Sequence, residues 1–374
     1  MNFRKSIFLT IFVALGLSFL VSSCETDVDL IAPYKSTPVI IGILDYTADS
    51  QFVRINRTFL GEGDANIYAG IRDSVEYNAA EVEVWLYKRR NGNLQDSIQL
   101  QYIVKPSRDP GVFYNQNVGF YYTSQDLFTA DEIADIRNAS FGNNPVLMTY
   151  ELKVIARGEI YTAETDFPDI SSSTISTPLP ANPPSKLELY RQSFNQYAQV
   201  TFAYKLKSKT ARNLGVYRLN YDYVTADGTT VTNQYIDYKL GATDNSEGAN
   251  NQNAYFTFNA QSWYEFIGPK IKAIPNVTKI RIHNTEFRLT GANGILNTYY
   301  KVANPVSEFT PVLNTFTNLD NGAIGIFGAR STVVREAYIL DPGIEIMNMG
   351  EFTSAPGLSY CVVNWASSLY VCNP

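Results

Sequence analysis

Few side chains of this 374-residue chain are placed to do chemistry. It has one histidine, His283, which alternates onto the Lys279 and Arg281 face of a strand, away from Ile280 and Ile282. That pattern predicts a solvated or hydrogen-bonded ring. A Ser-His-Asp or Cys-His nucleophile system would have to use it, and no Gly-x-Ser-x-Gly elbow occurs anywhere. Carboxylates are numerous enough for the acid pair of a glycosidase. The candidates Asp131, Glu132 and Asp135, however, fall on an exposed helix, where a solvated face is the better account. The loop Asp244-Asn-Ser-Glu-Gly248 offers oxygens but lacks the alternate-position acids of a calcium loop, so it is assigned no metal. The expectation is a protein without catalytic residues, metal or cofactor.

The clearest chemistry is at the start of the chain. Arg4 and Lys5 precede an apolar run from Ile7 to Val21, interrupted by Thr10, Gly16 and Ser18. This is the n-region and h-region of an export signal. The run is shorter than the roughly 20 residues that span a bilayer as a permanent helix. It ends in Val21-Ser22-Ser23-Cys24, which resembles the lipobox of bacterial lipoproteins. The resemblance implies cleavage after residue 23 and a diacylglycerol thioether on Cys24. Two or three acyl chains anchor a protein firmly where one does not. Glu25, Asp27 and Asp29 follow, and an acidic cluster here resembles the surface-export tethers of Bacteroidetes lipoproteins; a plain solvated linker is the other reading of residues 24–36. With Cys24 lipidated, Cys361 and Cys372 remain as a pair in a compartment where disulfides persist, and a bridge is expected. Free thiols are the alternative, and a metal site lacks further His or Cys ligands.

Loss of Arg4 and Lys5 with the signal leaves 28 basic against 36 acidic side chains, a formal charge near −8. No basic stripe appears, which excludes the electrostatic footprint of nucleic-acid binding. Tyrosine (26) and phenylalanine (21) far outnumber methionine (4), a balance that suits pleated, half-buried surfaces. Period-two alternation confirms that choice: Val82, Val84 and Leu86 oppose Glu81 and Glu83, and Tyr150, Leu152, Val154 and Ala156 oppose Glu151, Lys153 and Arg157. Pro38 to Tyr46 is a near-continuous apolar run, and turns fall at Asn91-Gly92 and Gly158. Residues 37–167 therefore read as an Ig-like β-sandwich with one helix opened by the capping box Thr129-Ala-Asp-Glu132.

Residues 168–185, with Pro168, Pro178, Pro180, Pro183 and Pro184 among serines and threonines, predict a stiff extended linker. Residues 186–374 predict a larger antiparallel β-rich domain with a few short helices. In it Tyr217, Leu219, Tyr221 and Tyr223 oppose Arg218, Asn220 and Asp222. Asp227-Gly228 predicts a hairpin, with Gly241 to Asn253 as a polar loop at its far end. A capping box at Ser262-Trp-Tyr-Glu265 predicts a short helix ended by Gly268-Pro269, before a strand from Val277 to Thr290.

Asp73-Ser74-Val75 and Asp96-Ser97-Ile98 resemble the Asp-Ser/Thr-aliphatic acceptor of Bacteroidetes O-glycosylation, a short pattern that carries weight only where both serines are exposed. The segment Thr317-Asn-Leu-Asp-Asn-Gly-Ala-Ile-Gly-Ile-Phe-Gly-Ala329 predicts a tight turn feeding a closely packed strand. With Tyr299-Tyr300, Asn304-Pro305 and Phe309-Thr310-Pro311 before it, it resembles the C-terminal signature of a family of Bacteroidetes outer-membrane lipoproteins of undefined function. The acidic start, the Pro-Val-Ile-Ile-Gly-Ile-Leu strand and the Tyr-Glu-Leu-Lys-Val strand extend the likeness over nearly the whole mature chain. Genes of that family often accompany TonB-dependent receptors. The resemblance implies an outer-membrane, lipid-anchored, cell-surface protein. It would be a non-catalytic accessory or binding subunit of a transport or assembly complex, with an integral β-barrel as partner and no nucleic acid. A surface glycan hydrolase using a carboxylate pair is the alternative. Trp263, Tyr264, Trp365 and Tyr370 lie near segment ends, where they either make that contact or fill the core.

Overall fold

Alternation at period two becomes strands, and left-handed turn residues become hairpins. The computed structural model describes residues 36–59, 64–107, 111–138, 146–246, 249–303, 316–365 and 367–372. Contacts divide the chain into Met1–Ser36 and Thr37–Pro374. The export signal, Cys24 and the tether up to residue 35 lie outside the described residues.

The unit from Thr37 opens with β1 (Pro38–Asp45) and β2 (Gln51–Arg57), followed by short helices α1 (Ala65–Ala69) and α2 (Arg72–Val75). Then come β3 (Val82–Arg90), β4 (Asn93–Gln99), β5 (Gln101–Ser107), β6 (Gln116–Thr123), α3 (Ala130–Asn138), β7 (Met148–Ala156) and β8 (Glu159–Asp166). Asn91 (φ 49°) with Gly92 (φ 80°), and Arg157 (φ 51°) with Gly158 (φ 82°), turn β3 into β4 and β7 into β8. Positive φ at both central positions matches the strands' own twist. These four strands form one sheet, in the order β4-β3-β7-β8. Its inner residues Val84, Leu86, Leu152 and Val154 pack in one core with Ile40, Leu44, Val53 and Ile55 of β1 and β2. The expected capping box closes α3: Thr129 N donates to Glu132 Oε2 at 2.8 Å and Glu132 N to Thr129 Oγ1 at 3.3 Å.

The rest comprises β9 (Ile175–Thr177), β10 (Ser185–Leu187), β11 (Tyr190–Arg191), β12 (Gln196–Tyr197), β13 (Gln199–Lys205), β14 (Arg212–Thr225), β15 (Thr230–Asp244) and β16 (Asn253–Asn259). It closes with α4 (Ala260–Lys272), β17 (Val277–Ala292), α5 (Gly294–Ala303), β18 (Ile324–Ile339), α6 (Asp341–Met349) and β19 (Ser359–Val362). A three-stranded sheet, β16-β13-β9, packs on β14, β15, β17 and β18, and Phe202 of β13 stacks on Phe287 of β17 with ring centroids 4.4 Å apart. The protein is all-β and sandwich-like, with a few short helices.

The long sheet runs β15-β14-β17-β18-β1-β2-β6-β5, with β10 added on β18 and β19 on β17. It crosses the division expected at residues 168–185. Strand β18 pairs in parallel with β1 and antiparallel with β17, so one sheet crosses the boundary. Phe327 and Ala329 at its start fill the core under β1, whereas Val333, Ala337 and Ile339 further on fill the second core. The two large cores follow the expected halves, but the first is completed by C-terminal residues, and a small third cluster gathers Ala292, Leu296 and Ile326 beside α5.

Three local expectations are also corrected. The first half of the stretch expected as a stiff extended linker is packed, while residues 179–183 are exposed: Ile170 and Asp169 are fully buried, and Asp169 Oδ1 accepts from the Thr210 hydroxyl and the Lys209 N, each at 3.1 Å. The apolar side chains spaced among the prolines supply the reason. Helix α4 is capped by Asn259, whose Oδ1 accepts from Gln261 N at 2.8 Å, and it runs through Pro269 to Lys272. The lost hydrogen bond and clash cost about 3 kcal/mol, which burial of Ile267 and Ile271, at about 2 kcal/mol each, offsets. The far end of the β14–β15 hairpin stays paired as far as Arg212 opposite Asp244, so the polar loop begins later than Gly241.

Candidate functional site

Of the residues singled out for catalysis, Asp131 is exposed on α3, while His283, Glu132 and Asp135 hold the fold together. His283 Nε2 lies 2.8 Å from Asp222 Oδ2, and Asp222 Oδ1 accepts from Asn233 N at 2.9 Å, which pins the edge strand β15. On α3, Glu132 pairs with Lys88 at 3.0 Å and Asp135 with Arg90 at 2.8 Å, tying the helix to β3. Burial works to raise the Glu132 carboxyl, but bonds from the Thr129 backbone and Lys88 outweigh it and hold the group low, the wrong direction for a general acid. Asp244 is shared by Arg212 at 2.7 Å and Lys301 at 3.0 Å. Among the described residues no group of three or more His, Cys, Asp or Glu is placed to hold a metal ion.

Cys361 and Cys372 are bridged, with Cα atoms 4.9 Å apart, and the bridge secures β19 beside β17. Ser97 is exposed on the edge strand β4, while Ser74 is half-buried in α2, so the two acceptor-like serines are not equally open. Trp263 and Tyr264 are fully buried, Trp365 is nearly so, and Tyr370 is half-buried. The first three fill the core, leaving them no part in a surface contact.

The signature segment is likewise structural. Asn318 spans β18, its Oδ1 accepting from Phe327 N at 2.9 Å and its Nδ2 donating to Phe327 O at 2.8 Å. Asp320 takes the Thr162 backbone N–H at 2.5 Å and its hydroxyl at 2.6 Å, and Asn321 donates to Ile160 O at 3.1 Å. The polar side chains therefore cap the outer edge of β8, which would otherwise expose unpaired backbone groups. Asn304-Pro305 and Phe309-Thr310-Pro311 lie outside the described residues.

Among the depressions formed by the described residues, two meet at the end of β2. The polar one, about 380 Å³, lies over Tyr77 and is lined by Arg72, Glu76, Glu81 and Arg157. Glu81 accepts two bonds from Arg157, both 3.1 Å, which hold its carboxyl below the usual range. Glu76 pairs with Arg72 at 3.1 Å and with Arg54 at 3.9 Å. Both acids sit in ion pairs, and Glu81 is ionised at neutral pH, an arrangement suited to structure rather than proton donation.

The other depression is an open apolar groove of about 500 Å³ on the outer face of the long sheet. Val39 and Ile41 of β1 form its floor, opposite Asn56 and Arg54 of β2, and Phe59, Val75 and Phe113 wall it. Ile41 is 40% exposed and Phe113 50%. The apolar surface continues past Ile43 to Phe52 and Phe120, with the Arg54 guanidinium 5.8 Å over the Phe120 ring. On the other side Ile324 of β18, 41% exposed, lies beside Val39. Sequence reading missed this surface. The signal was present in β1, which is apolar at successive positions, so that one of its two faces needs a cover outside the core.

Neither a protein-family model nor a curated protein matches the chain. Among solved structures, the C-terminal domain of the Streptococcus agalactiae AgI/II polypeptide BspA matches 81% of this chain and all of its own length, at 10% identity and a TM-score of 0.12. No shared fold follows from a score of that size. No helix among the described residues is long and apolar enough to cross a membrane.

Proposed function

We propose that this protein is a lipid-anchored, non-catalytic accessory or binding subunit at the outer membrane, displayed at the cell surface, and that its partner is an integral β-barrel. The observation that carries this reading is the apolar outer face of the long sheet, where Ile324 and Ile41 are exposed and Ile43, Phe52 and Phe120 are half-buried. Contiguous exposed apolar patches mark interaction sites more often than isolated apolar residues do. Anchoring through Cys24 would confine the body to a membrane plane, where a raised effective concentration lets modest contacts suffice. The hydrolase alternative draws no support from the polar cavity, because its acids are neutralised by arginines.

Two measurements test the reading. Replacing Cys24 with Ala should abolish incorporation of labelled palmitate, and unchanged labelling would remove the anchor. The native protein, crosslinked and extracted in mild detergent, should purify in fixed stoichiometry with an outer-membrane barrel. Recovery as a free lipoprotein would remove the subunit role.

A further inference from the structure

The groove beside β2 shares Ile41 with the face proposed to meet a barrel, but its lining has a chemistry of its own. Its described lining combines an apolar floor and walls with two cations, Arg54 and Arg57, and contains no carboxylate, in a chain whose overall charge is −6. Arg57 stands where the groove meets the polar cavity. Its guanidinium donates to the Asp73 carbonyl oxygen, lies 6.0 Å over the Tyr77 ring and acts at longer range on the Glu81 carboxylate, with no direct ion pair among the described residues. Its Nε is buried and has no acceptor. A guanidinium remains charged at every physiological pH and favours a planar two-oxygen anion as its partner.

The floor decides what the rest of the occupant can be. Strand β1 is paired on both sides, with β18 and with β2, so its backbone N–H and C=O groups are consumed by the sheet. The polar side chains nearby are engaged too: Arg54 Nε donates to Asn56 Oδ1 at 2.8 Å, and Thr58 Oγ1 accepts from Thr37 N at 2.9 Å. A peptide laid over β1 would find no strand edge to pair with and would lose water from most of its amides without gaining partners. An alkyl chain has no such groups to satisfy. The volume lies within the range of small-molecule sites.

We infer that the groove binds a single-chain amphiphile with an anionic head, of the aliphatic carboxylate class, its chain over Val39 and Ile41 and its head at Arg57. The test titrates carboxyl-labelled [1-13C]dodecanoate into the full chain in alkyl maltoside micelles and follows the carboxyl resonance. Dodecanol is the uncharged comparison, followed by its displacement of dodecanoate. Micelle partition is common to all variants, so differences between them report the groove. Arg57→Gln should weaken dodecanoate about tenfold and leave dodecanol unchanged, while Arg57→Lys should keep most of the affinity. Ile41→Asn, at an exposed position, should weaken both ligands. Equal dodecanoate affinity in wild type and Arg57→Gln would overturn the assignment of the head. Absence of any saturable dodecanoate binding, or saturable binding only of an apolar hexapeptide, would overturn the site. Either result leaves the barrel partnership standing, and loss of that partnership with dodecanoate binding intact would leave the site standing.

Discussion

Gly325 of β18 lies opposite Ile40 of β1, so close that a β-carbon on the glycine would stand 1.9 Å from the Ile40 carbonyl oxygen. Its φ is +123°, a conformation that side-chain-bearing residues rarely adopt. This contact joins strands nearly three hundred residues apart and completes the first core, because Phe327 two residues on is buried beneath β1.

Gly325→Ala should therefore cost about 3 kcal/mol or more, since the β-carbon meets backbone that cannot rotate aside. Gly322→Ala offers a matched comparison: its φ is +75°, but nothing lies within 4 Å of the added carbon, so a loss of about 1 kcal/mol is expected. Urea midpoints of the two variants decide the matter. Equal losses would show that backbone conformation alone matters and that the strand contact is slack.

Asn293 is a second tie between the halves. Fully buried, it donates to Thr165 Oγ1 at 2.9 Å and to Asp166 O and Oδ1, both at 3.0 Å, while its oxygen accepts from Leu296 N at 3.1 Å. Asn293→Ala leaves these groups unmet and should cost about 2 to 4 kcal/mol. Asn293→Asp keeps the acceptor but sets a second carboxylate against Asp166, so it should be no more stable than the alanine variant at pH 7. A stable aspartate variant in thermal unfolding would contradict this.

Much of this architecture can be read in the sequence, because its causes are local. Alternation in β3, β7 and β14 places their core residues, and Asn91-Gly92 and Asp227-Gly228 place their turns. The pairing of β1 with β18 cannot be read that way, since Ile40 and Gly325 have no local relation. The helix at Trp263 was legible but misplaced. Taking Asn259 as its cap puts Trp263, Tyr264, Ile267 and Ile271 along one buried side. The apolar groove was hidden because an apolar strand face looks the same in sequence whether a core or a ligand covers it.

The Cys361–Cys372 bridge closes a loop with a separation of 11 residues. In the chain-entropy account, a loop of that size is worth about 3 kcal/mol. The Cys361→Ser, Cys372→Ser double variant should unfold at lower urea by that amount, and an unreduced tryptic digest of the wild type should show the two peptides linked. Two freely alkylated thiols would rule the bridge out.

Burial raises the hydroxyl pKa of Tyr121, Tyr150, Tyr217, Tyr264 and Tyr360 above the ordinary value. In the unfolded chain each titrates at about 10. Above that pH the unfolded chain gives up protons that the folded one keeps, so stability present below pH 10 falls as pH rises. Urea midpoints should drop steeply from pH 10 upward, with tyrosinate absorbance at 295 nm lagging in the folded protein. A flat midpoint through pH 11.5 would contradict the burial of these rings.

If the outer face of β1, β2 and β6 meets a membrane barrel, as proposed, photocrosslinking in intact outer membranes should trap the contact. With p-benzoylphenylalanine in place of Phe120, irradiation should give one adduct of fixed mass containing an integral β-barrel protein. The same group in place of Leu94, 56% exposed on the edge strand β4 of the other sheet, should give none. Adducts of equal yield from both positions, or no barrel peptide in the Phe120 adduct, would rule that contact out.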